Sequence, residues 1–140
     1  MNEQENTKIA GQIYETFNSG DIEGFLNLFS EDALWHSPQI ENIPLNTKFK
    51  GRDNIAAFLS EIDKYEEFLK IEPKEFIAQG DRVVILGDYL VRSKTTNNQY
   101  TSGLAHIITV KNGKIVSFLE FFDNAAAGKA HSAATATQTA

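Results

Sequence analysis

The protein has no cysteine in its 140 residues, which excludes disulfides, thiolate zinc sites, iron–sulfur clusters and cysteine nucleophiles. It is also short of positive charge, since thirteen Lys and Arg stand against nineteen Asp and Glu and the net charge is −6. Nucleic-acid phosphates are bound by clusters of Lys and Arg, and the sequence has no such cluster. We therefore expect no nucleic-acid partner.

Membrane spans, targeting signals and metal motifs are missing as well. No run approaches the roughly 18 apolar residues of a membrane span, and residues 1–6 are polar and acidic, unlike a signal peptide. The three histidines, at positions 36, 106 and 131, lack the spacing of zinc ligands, and there is no glycine-rich phosphate loop. We expect a cytoplasmic protein that contacts no membrane and uses no metal or organic cofactor.

The apolar residues that are present predict three helices in the first half of the chain. Ile9, Ile13 and Phe17 recur at four-residue steps, which places them on one face of a helix. A second, shorter helix is predicted after Asp21, a good N-cap residue. The third helix is predicted over 51–62, where apolar residues recur at helical spacing.

Strands are predicted after these helices. The four ranges are 68–78, 83–94, 100–110 and 115–122, and one short strand, 33–37, precedes the third helix. Helices that come before an antiparallel meander indicate an α+β fold. Residues 38–50 have no clear period and predict a loop at a binding rim.

The composition divides the chain after residue 124. Residues 1–124 are predicted to form one domain, and residues 125–140 are a low-complexity tail of Ala, Thr, Ser and Gln. Because this tail has no large apolar residue to bury, it is predicted to be disordered or weakly helical and to carry no chemistry.

The sequence 111–114, Lys-Asn-Gly-Lys, predicts a hairpin between the last two strands. With a type I turn followed by Gly113 as the bulge residue, Val110 pairs with Lys114. His106 then lies opposite Phe118. A two-residue turn would swap the faces of one strand relative to the other.

In this register His106 and Glu120 share one apolar face of adjacent strands, close enough for their side chains to meet. A carboxylate favours the protonated imidazole and fixes its tautomer. The pair is therefore predicted to be a proton-transfer unit. The alternative is a structural pair in which the histidine only satisfies a buried charge.

A curved sheet wrapped around the three helices would leave an apolar pocket, and other residues are candidates for binding a ligand in it. Trp35 is a pocket wall or plain core, and Ser37 donates a hydrogen bond to a ligand or only begins a turn. The Tyr14 hydroxyl points inward or lies at the water-exposed edge of the core. A surface position is favoured for His36. The remaining candidates are aromatic residues of the sheet, namely Tyr89, Phe118 and Phe122.

Several short segments resemble a known superfamily in their order and spacing. They are FNSGD (17–21), FSEDA (29–33), WHSP (35–38), GRDNI (51–55), GKIVSF (113–118) and EFFD (120–123). On these segments the chain resembles the nuclear-transport-factor-2-like (NTF2-like) superfamily, within it the ketosteroid-isomerase-like and SnoaL-like (polyketide cyclase-like) branch. The resemblance implies a cone-shaped fold with three N-terminal helices on a strongly curved, mainly antiparallel sheet, around a deep apolar pocket. It also implies a homodimer packed through the outer sheet face.

The resemblance implies roles for single residues. Ser37 stands where steroid isomerases have the aspartate that moves the proton, and His106 stands where they have the protonated aspartate of the oxyanion hole. The tyrosine of that hole maps onto Ile13, one residue before Tyr14. Asp123, which ends the Glu-x-Phe-Asp segment, is an alternative carboxylate base.

Characterised enzymes of the superfamily isomerise steroids, close polyketide rings, dehydrate or open epoxides without a cofactor. We therefore expect a metal-free acid–base enzyme of the isomerase, cyclase or hydratase type, acting on an apolar, carbonyl-bearing small molecule. His106, Glu120 and Asp123 are its catalytic candidates. The alternatives are a non-catalytic small-ligand-binding domain, which the serine at position 37 favours, and a dimerising interaction module.

Overall fold

A computed structural model describes residues 2–132 of the chain. Four helices lie in this part: α1 (Glu3–Asn18), α2 (Ile22–Asn27), α3 (Arg52–Ile62) and α4 (Asn124–Ala130). Six strands lie in it: β1 (Phe29–His36), β2 (Lys48–Lys50), β3 (Glu66–Gln79), β4 (Arg82–Ser93), β5 (Gln99–Lys111) and β6 (Lys114–Phe122). The predicted α+β class is confirmed. Among these residues, no helix has both the length and the apolar character that crossing a membrane requires.

The strands form one mixed sheet in the order β2-β1-β6-β5-β4-β3. Strand β1 runs parallel to β6, and the other neighbouring pairs are antiparallel. The parallel pair places residues from the first and last strands side by side, with Trp35 next to Phe118. This pairing brings distant parts of the sequence to one site.

The three predicted helices begin and end close to the predicted residues. The Asp21 side chain caps α2 by accepting from the amide of Gly24 at 2.9 Å, as its residue type predicts. In α3 the apolar residues at helical spacing, Ile55, Phe58 and Ile62, are buried. Helix α1 packs on β3, and α3 packs on β1.

Two differences concern the segment between α2 and α3. Strand β1 begins before the predicted strand 33–37 and includes residues 30–32, and β2 lies inside the predicted loop 38–50. The alternation of β1 is broken because its register against β6 shifts between Phe29 and Leu34. Strand β2 has three residues, of which only Phe49 is half-buried, so it leaves no period in the sequence.

The hairpin between β5 and β6 is tighter than predicted. Asn112 and Gly113 both have positive φ, at 52° and 78°, which is the combination of a type I′ turn. Lys111 therefore pairs with Lys114, and the predicted pairing of Val110 with Lys114 is wrong. The Asn-Gly dipeptide itself favours this two-residue turn.

A β-bulge corrects the faces that this turn would otherwise swap. The register shifts between Thr109 and Val110, where Val116 is the extra residue on β6. Beyond the bulge His106 lies directly opposite Glu120, and the predicted partner Phe118 is wrong. The shared face of His106 and Glu120 was nevertheless predicted correctly, and the two residues are closer than expected.

The core lies between the helices and one face of the sheet, and aromatic rings dominate it. Phe25, Phe29 and Phe58 pack around Trp35. The Trp35 ring stacks on Phe118, with ring centroids 4.1 Å apart and planes 9° apart. Four of these residues, Phe25, Trp35, Phe58 and Phe118, also form part of the wall of a cavity.

Of the two states expected for the tail 125–140, disordered or weakly helical, the structure shows the helical one at its start, where residues 124–130 form α4. The helix needs no large apolar residue, because small residues such as Ala127 and Gly128 let it pack closely. The hydroxyl of Thr96 donates to the carbonyl of Ala130 at 2.6 Å. This packing also buries His131. Residues 133–140 of the predicted tail lie outside the described residues.

Candidate active site

A mostly apolar cavity lies between the helices and the sheet. The positions open to the centre of a water molecule fill a volume of about 80 Å³. One water needs roughly 10–15 Å³ by the same measure, so the cavity is large enough for a small ligand. Its walls include Ile13, Phe17, Phe25, Trp35, Phe58, Phe68, Phe118 and Phe122. Its polar lining consists of Tyr14, Ser37, Thr47, Glu66, Tyr89, Tyr100, His106 and Glu120. A few polar groups in an apolar cavity are typical of a small-molecule site.

His106 and Glu120 form the centre of the polar lining. His106 is 3% exposed, and its Nε2 lies 2.9 Å from Oε2 of Glu120. The two residues are opposite each other on β5 and β6, so the sheet itself fixes their separation. The prediction that they meet on one apolar face is confirmed.

Tyrosines contact both nitrogens of this imidazole. The Tyr14 hydroxyl lies 2.6 Å from Nδ1 of His106, and the Tyr89 hydroxyl lies 2.7 Å from Nε2. Tyr89 also donates a hydrogen bond to Oε2 of Glu120. Of the two positions considered for the Tyr14 hydroxyl, the inward one is therefore correct.

Ser37 and Trp35 hold the carboxylate from the other side. The Trp35 indole N–H donates to Oγ of Ser37 at 2.7 Å, and Oγ donates to Oε1 of Glu120 at 2.8 Å. Ser37 therefore positions Glu120, since its proton is donated to the carboxylate and its oxygen accepts from Trp35. Trp35 is both cavity wall and core, because it lines the cavity and stacks on Phe118.

The contacts decide where the protons lie. Burial raises the pKa of Glu120, but hydrogen bonds from His106, the charge of His106 and hydrogen bonds from Tyr89 and Ser37 together hold it below its ordinary value. Burial and the charge of Glu120 raise the pKa of Tyr14 and of Tyr89. The site thus holds an ionised carboxylate between protonated hydroxyls at neutral pH.

An ionised carboxylate only accepts hydrogen bonds, so Nε2 of His106 carries a hydrogen. The Nδ1 atom then accepts from Tyr14 when the imidazole is neutral, and donates to it when the imidazole is protonated. A proton can therefore pass between His106 and the Tyr14 hydroxyl while Glu120 stays ionised.

Two further predicted residues have clear positions. Asp123 is exposed and lies outside the cavity lining, where it caps α4 by accepting from the amide of Ala126 at 3.0 Å. The prediction of Asp123 as an alternative base is wrong, because the strand alternation turns its side chain away from Glu120. His36 is exposed, as predicted. Phe122 is half-buried and contacts the Tyr89 ring at a centroid distance of 6.1 Å.

Sequence reasoning missed a second polar cluster. Glu66 lies on the cavity wall, and its Oε2 accepts from Tyr100 at 2.5 Å and contacts Nε2 of His131 at 2.9 Å. Glu66 was missed because it lies in a charged stretch of sequence that is typical of a solvent-exposed surface. His131 was missed because it follows the Ala-rich segment that was predicted to carry no chemistry. Tyr100 was detectable, since it is six residues before His106 on the same face of β5.

Within residues 2–132, no three His, Asp or Glu side chains converge in a way that could hold a metal ion. The polar groups of the cavity form two hydrogen-bonded clusters instead, one around His106 and Glu120 and one around Glu66.

The comparisons with known proteins agree with this fold. The SnoaL-like domain family matches residues 10–118, so the chain belongs to the SnoaL-like domain family, in the NTF2-like superfamily. No curated protein matches it at a significant level.

Solved structures resemble the chain over nearly its full length. An NTF2-like protein from Burkholderia xenovorans is 32% identical, with a TM-score of 0.83 over 94% of this chain and 99% of that one. An NTF2-like protein of unknown function from Burkholderia pseudomallei is 27% identical, with a TM-score of 0.84 over 92% and 98%. TerC, co-crystallised with polyporic acid, is 28% identical, with a TM-score of 0.78 over 91% and 98%.

Proposed function

We propose that this protein binds an apolar, carbonyl-bearing small molecule in its cavity and catalyses proton transfer on it. The reaction belongs to the isomerase, cyclase or hydratase type and uses only side chains of the protein. One observation carries the proposal, namely the buried Tyr14–His106–Glu120 chain of contacts in the wall of an apolar cavity.

In this proposal the Tyr14 hydroxyl donates to the carbonyl oxygen of the ligand. When a nucleophile adds to the carbonyl carbon, the π electrons of the C=O bond move to that oxygen. Tyr14 passes its proton to the oxygen and takes the Nδ1 proton of protonated His106. The proton that the nucleophile releases then returns to the neutral imidazole. Glu120 stabilises the protonated imidazole before this step and holds its orientation. The apolar walls exclude water, which strengthens each of these electrostatic contacts.

Support for a ligand comes from TerC, which has been co-crystallised with polyporic acid. Polyporic acid is therefore the first probe for this cavity. Binding is followed by the fluorescence of Trp35, the single tryptophan of the chain, which lines the cavity.

The experiment compares His106→Gln with His36→Gln, which makes the same change at an exposed histidine. We first screen apolar carbonyl compounds by thermal shift, since a ligand of the folded state raises the melting temperature. On a compound that is turned over, His106→Gln should lower kcat by about 10²–10⁴-fold, and His36→Gln should leave it unchanged. Equal kcat for wild type and His106→Gln would remove His106 from the mechanism.

A second candidate function is non-catalytic binding of the same class of ligand. It is favoured by Ser37, which occupies a position where the resemblance implies a base but donates its proton to Glu120. Saturable binding without turnover, unaffected in affinity by His106→Gln, would support this candidate.

We also propose a homodimer through the outer face of the sheet. Phe121 pairs with Ala105, which pairs with Leu86, and this row of apolar side chains faces away from the cavity. Phe121 and Leu86 are exposed at 51% and 36%. Analytical ultracentrifugation of wild type and Phe121→Lys tests this dimer. Wild type should sediment as a dimer and Phe121→Lys as a monomer; a monomeric wild type would contradict the proposal.

A further inference from the structure

We propose that Glu66 and Tyr100 form a second polar subsite of the cavity, which binds a hydroxyl group of the ligand. This inference rests on the proposed function, because it takes the carbonyl end of the same ligand to lie at Tyr14 and His106. The ligand class is thereby narrowed to apolar molecules with a carbonyl at one end and a hydroxyl at the other.

The position of the cluster is the first argument. Glu66 and Tyr100 line the same cavity as His106, and both are buried. Tyr100 and His106 are separated by six residues on one face of β5, which corresponds to at most roughly 20 Å along an extended strand. Tyr100 therefore contributes to the polar lining of the same cavity as His106 and Glu120.

The hydrogen bonding of Glu66 is the second argument. Among residues 2–132, the contacts of this carboxylate with Tyr100 and His131 both fall on Oε2. A buried carboxylate is costly unless donors satisfy both of its oxygens. Oε1 is therefore suited to a ligand that donates a hydrogen bond, and a hydroxyl is the smallest such group on an apolar molecule.

His131 acts as a positioning residue for this subsite. Its Nδ1 is buried and has no hydrogen-bond partner among the described residues. A carboxylate oxygen accepts hydrogen bonds, and Nε2 of His131 lies 2.9 Å from Oε2 of Glu66, so the hydrogen of the imidazole is placed on Nε2. That hydrogen points to Oε2 of Glu66 and keeps the carboxylate in place.

The test uses two probes that differ by one hydroxyl, 1-tetralone and 6-hydroxy-1-tetralone. Hydrogen bonds to charged groups are among the stronger ones, so wild type should bind the hydroxyl probe about ten- to a hundredfold more tightly by Trp35 fluorescence. Tyr100→Phe and Glu66→Gln should reduce this preference to a few-fold, with little effect on 1-tetralone. The matched control Tyr65→Phe, outside the cavity lining, should keep the preference.

A measurement on the wild type covers the case in which a variant fails to fold. Side-chain ¹⁵N spectra report each of the three histidines separately. Both probes should shift His106, only the hydroxyl probe should shift His131, and neither should shift exposed His36.

The outcomes separate the two proposals. Equal binding of the two probes, with His106 shifted and His131 unshifted, would overturn the second subsite and leave the proposed carbonyl site standing. Failure of both probes to shift His106 would overturn the carbonyl site and, with it, this inference.

Discussion

Replacing Glu120 with Gln tests the electrostatics of the site through stability. His106, Tyr89 and Ser37 all contact the carboxylate, whereas the Gln amide offers one acceptor oxygen and one NH₂ group. At least one donor would then face the NH₂ group. Loss of charge-assisted hydrogen bonds costs about 1.5–3 kcal/mol each, and breaking a buried pair costs about 3–5 kcal/mol. We expect Glu120→Gln to lower the free energy of unfolding by about 2–4 kcal/mol at pH 7.

The loss should depend on pH in one direction. The pKa of Glu120 in the folded protein lies below its ordinary value, which is about 4.3 in an unfolded chain. The stability contributed by the ionised carboxylate is therefore fully present above that pH and is lost as the pH falls through the lower folded value. The difference between wild type and Glu120→Gln should be constant from pH 7 to pH 5 and should shrink below pH 4.

The assay is urea unfolding of wild type, Glu120→Gln and Glu31→Gln at a series of pH values. Glu31 is exposed and serves as the matched control, with an expected change within about 0.5 kcal/mol. If Glu120→Gln were as stable as wild type at pH 7, or if its deficit persisted unchanged to pH 3, the assignment of an ionised, hydrogen-bonded Glu120 would be refuted.

Two further predictions concern packing and positioning. Ser37→Ala should destabilise the fold by about 1–2 kcal/mol and lower kcat, because it removes only one hydroxyl from the cavity lining and with it a hydrogen bond to Glu120. Urea unfolding measures the stability and turnover measures kcat. An unchanged kcat would show that Glu120 needs no hydrogen bond from Ser37. Gly87→Ala should cost more than about 2 kcal/mol or prevent folding, because its Cβ would lie 2.1 Å from the Glu72 carbonyl oxygen, which is a steric overlap with backbone. Gly11→Ala, which meets nothing within 4 Å in helix α1, should instead stabilise the fold by about 0.5–1 kcal/mol; melting temperatures compare the two, and equal values would contradict the packing at Gly87.

Most of the fold is predictable from the sequence because the segments with a clear apolar period are long. Helix α3 and the long strands were predictable since side-chain alternation and helical spacing each persist over many residues. Strand β2 was not, because three residues at a sheet edge are too few to show a period. Helix α4 was not predicted as a packed helix for a different reason, because its small residues pack closely without forming an apolar stripe.

The candidate site was predictable only in part. The shared face of His106 and Glu120 follows from alternation, although the bulge at Val116 was invisible and the predicted register was wrong. The inward position of Tyr14 depends on how α1 rotates against the sheet, which local sequence does not specify. The contact between Glu66 and His131 joins residues 65 positions apart, and such a pairing is set by tertiary packing.

The central claim is that His106 carries its hydrogen on Nε2, toward Glu120, and exchanges a proton with Tyr14 through Nδ1. The side-chain ¹⁵N spectrum of His106 at neutral pH measures this most directly. We predict a protonated Nε2, and an Nδ1 resonance that moves in Tyr14→Phe while that of His36 stays in place. An unprotonated Nε2, or an Nδ1 resonance that ignores the loss of the Tyr14 hydroxyl, would contradict the account.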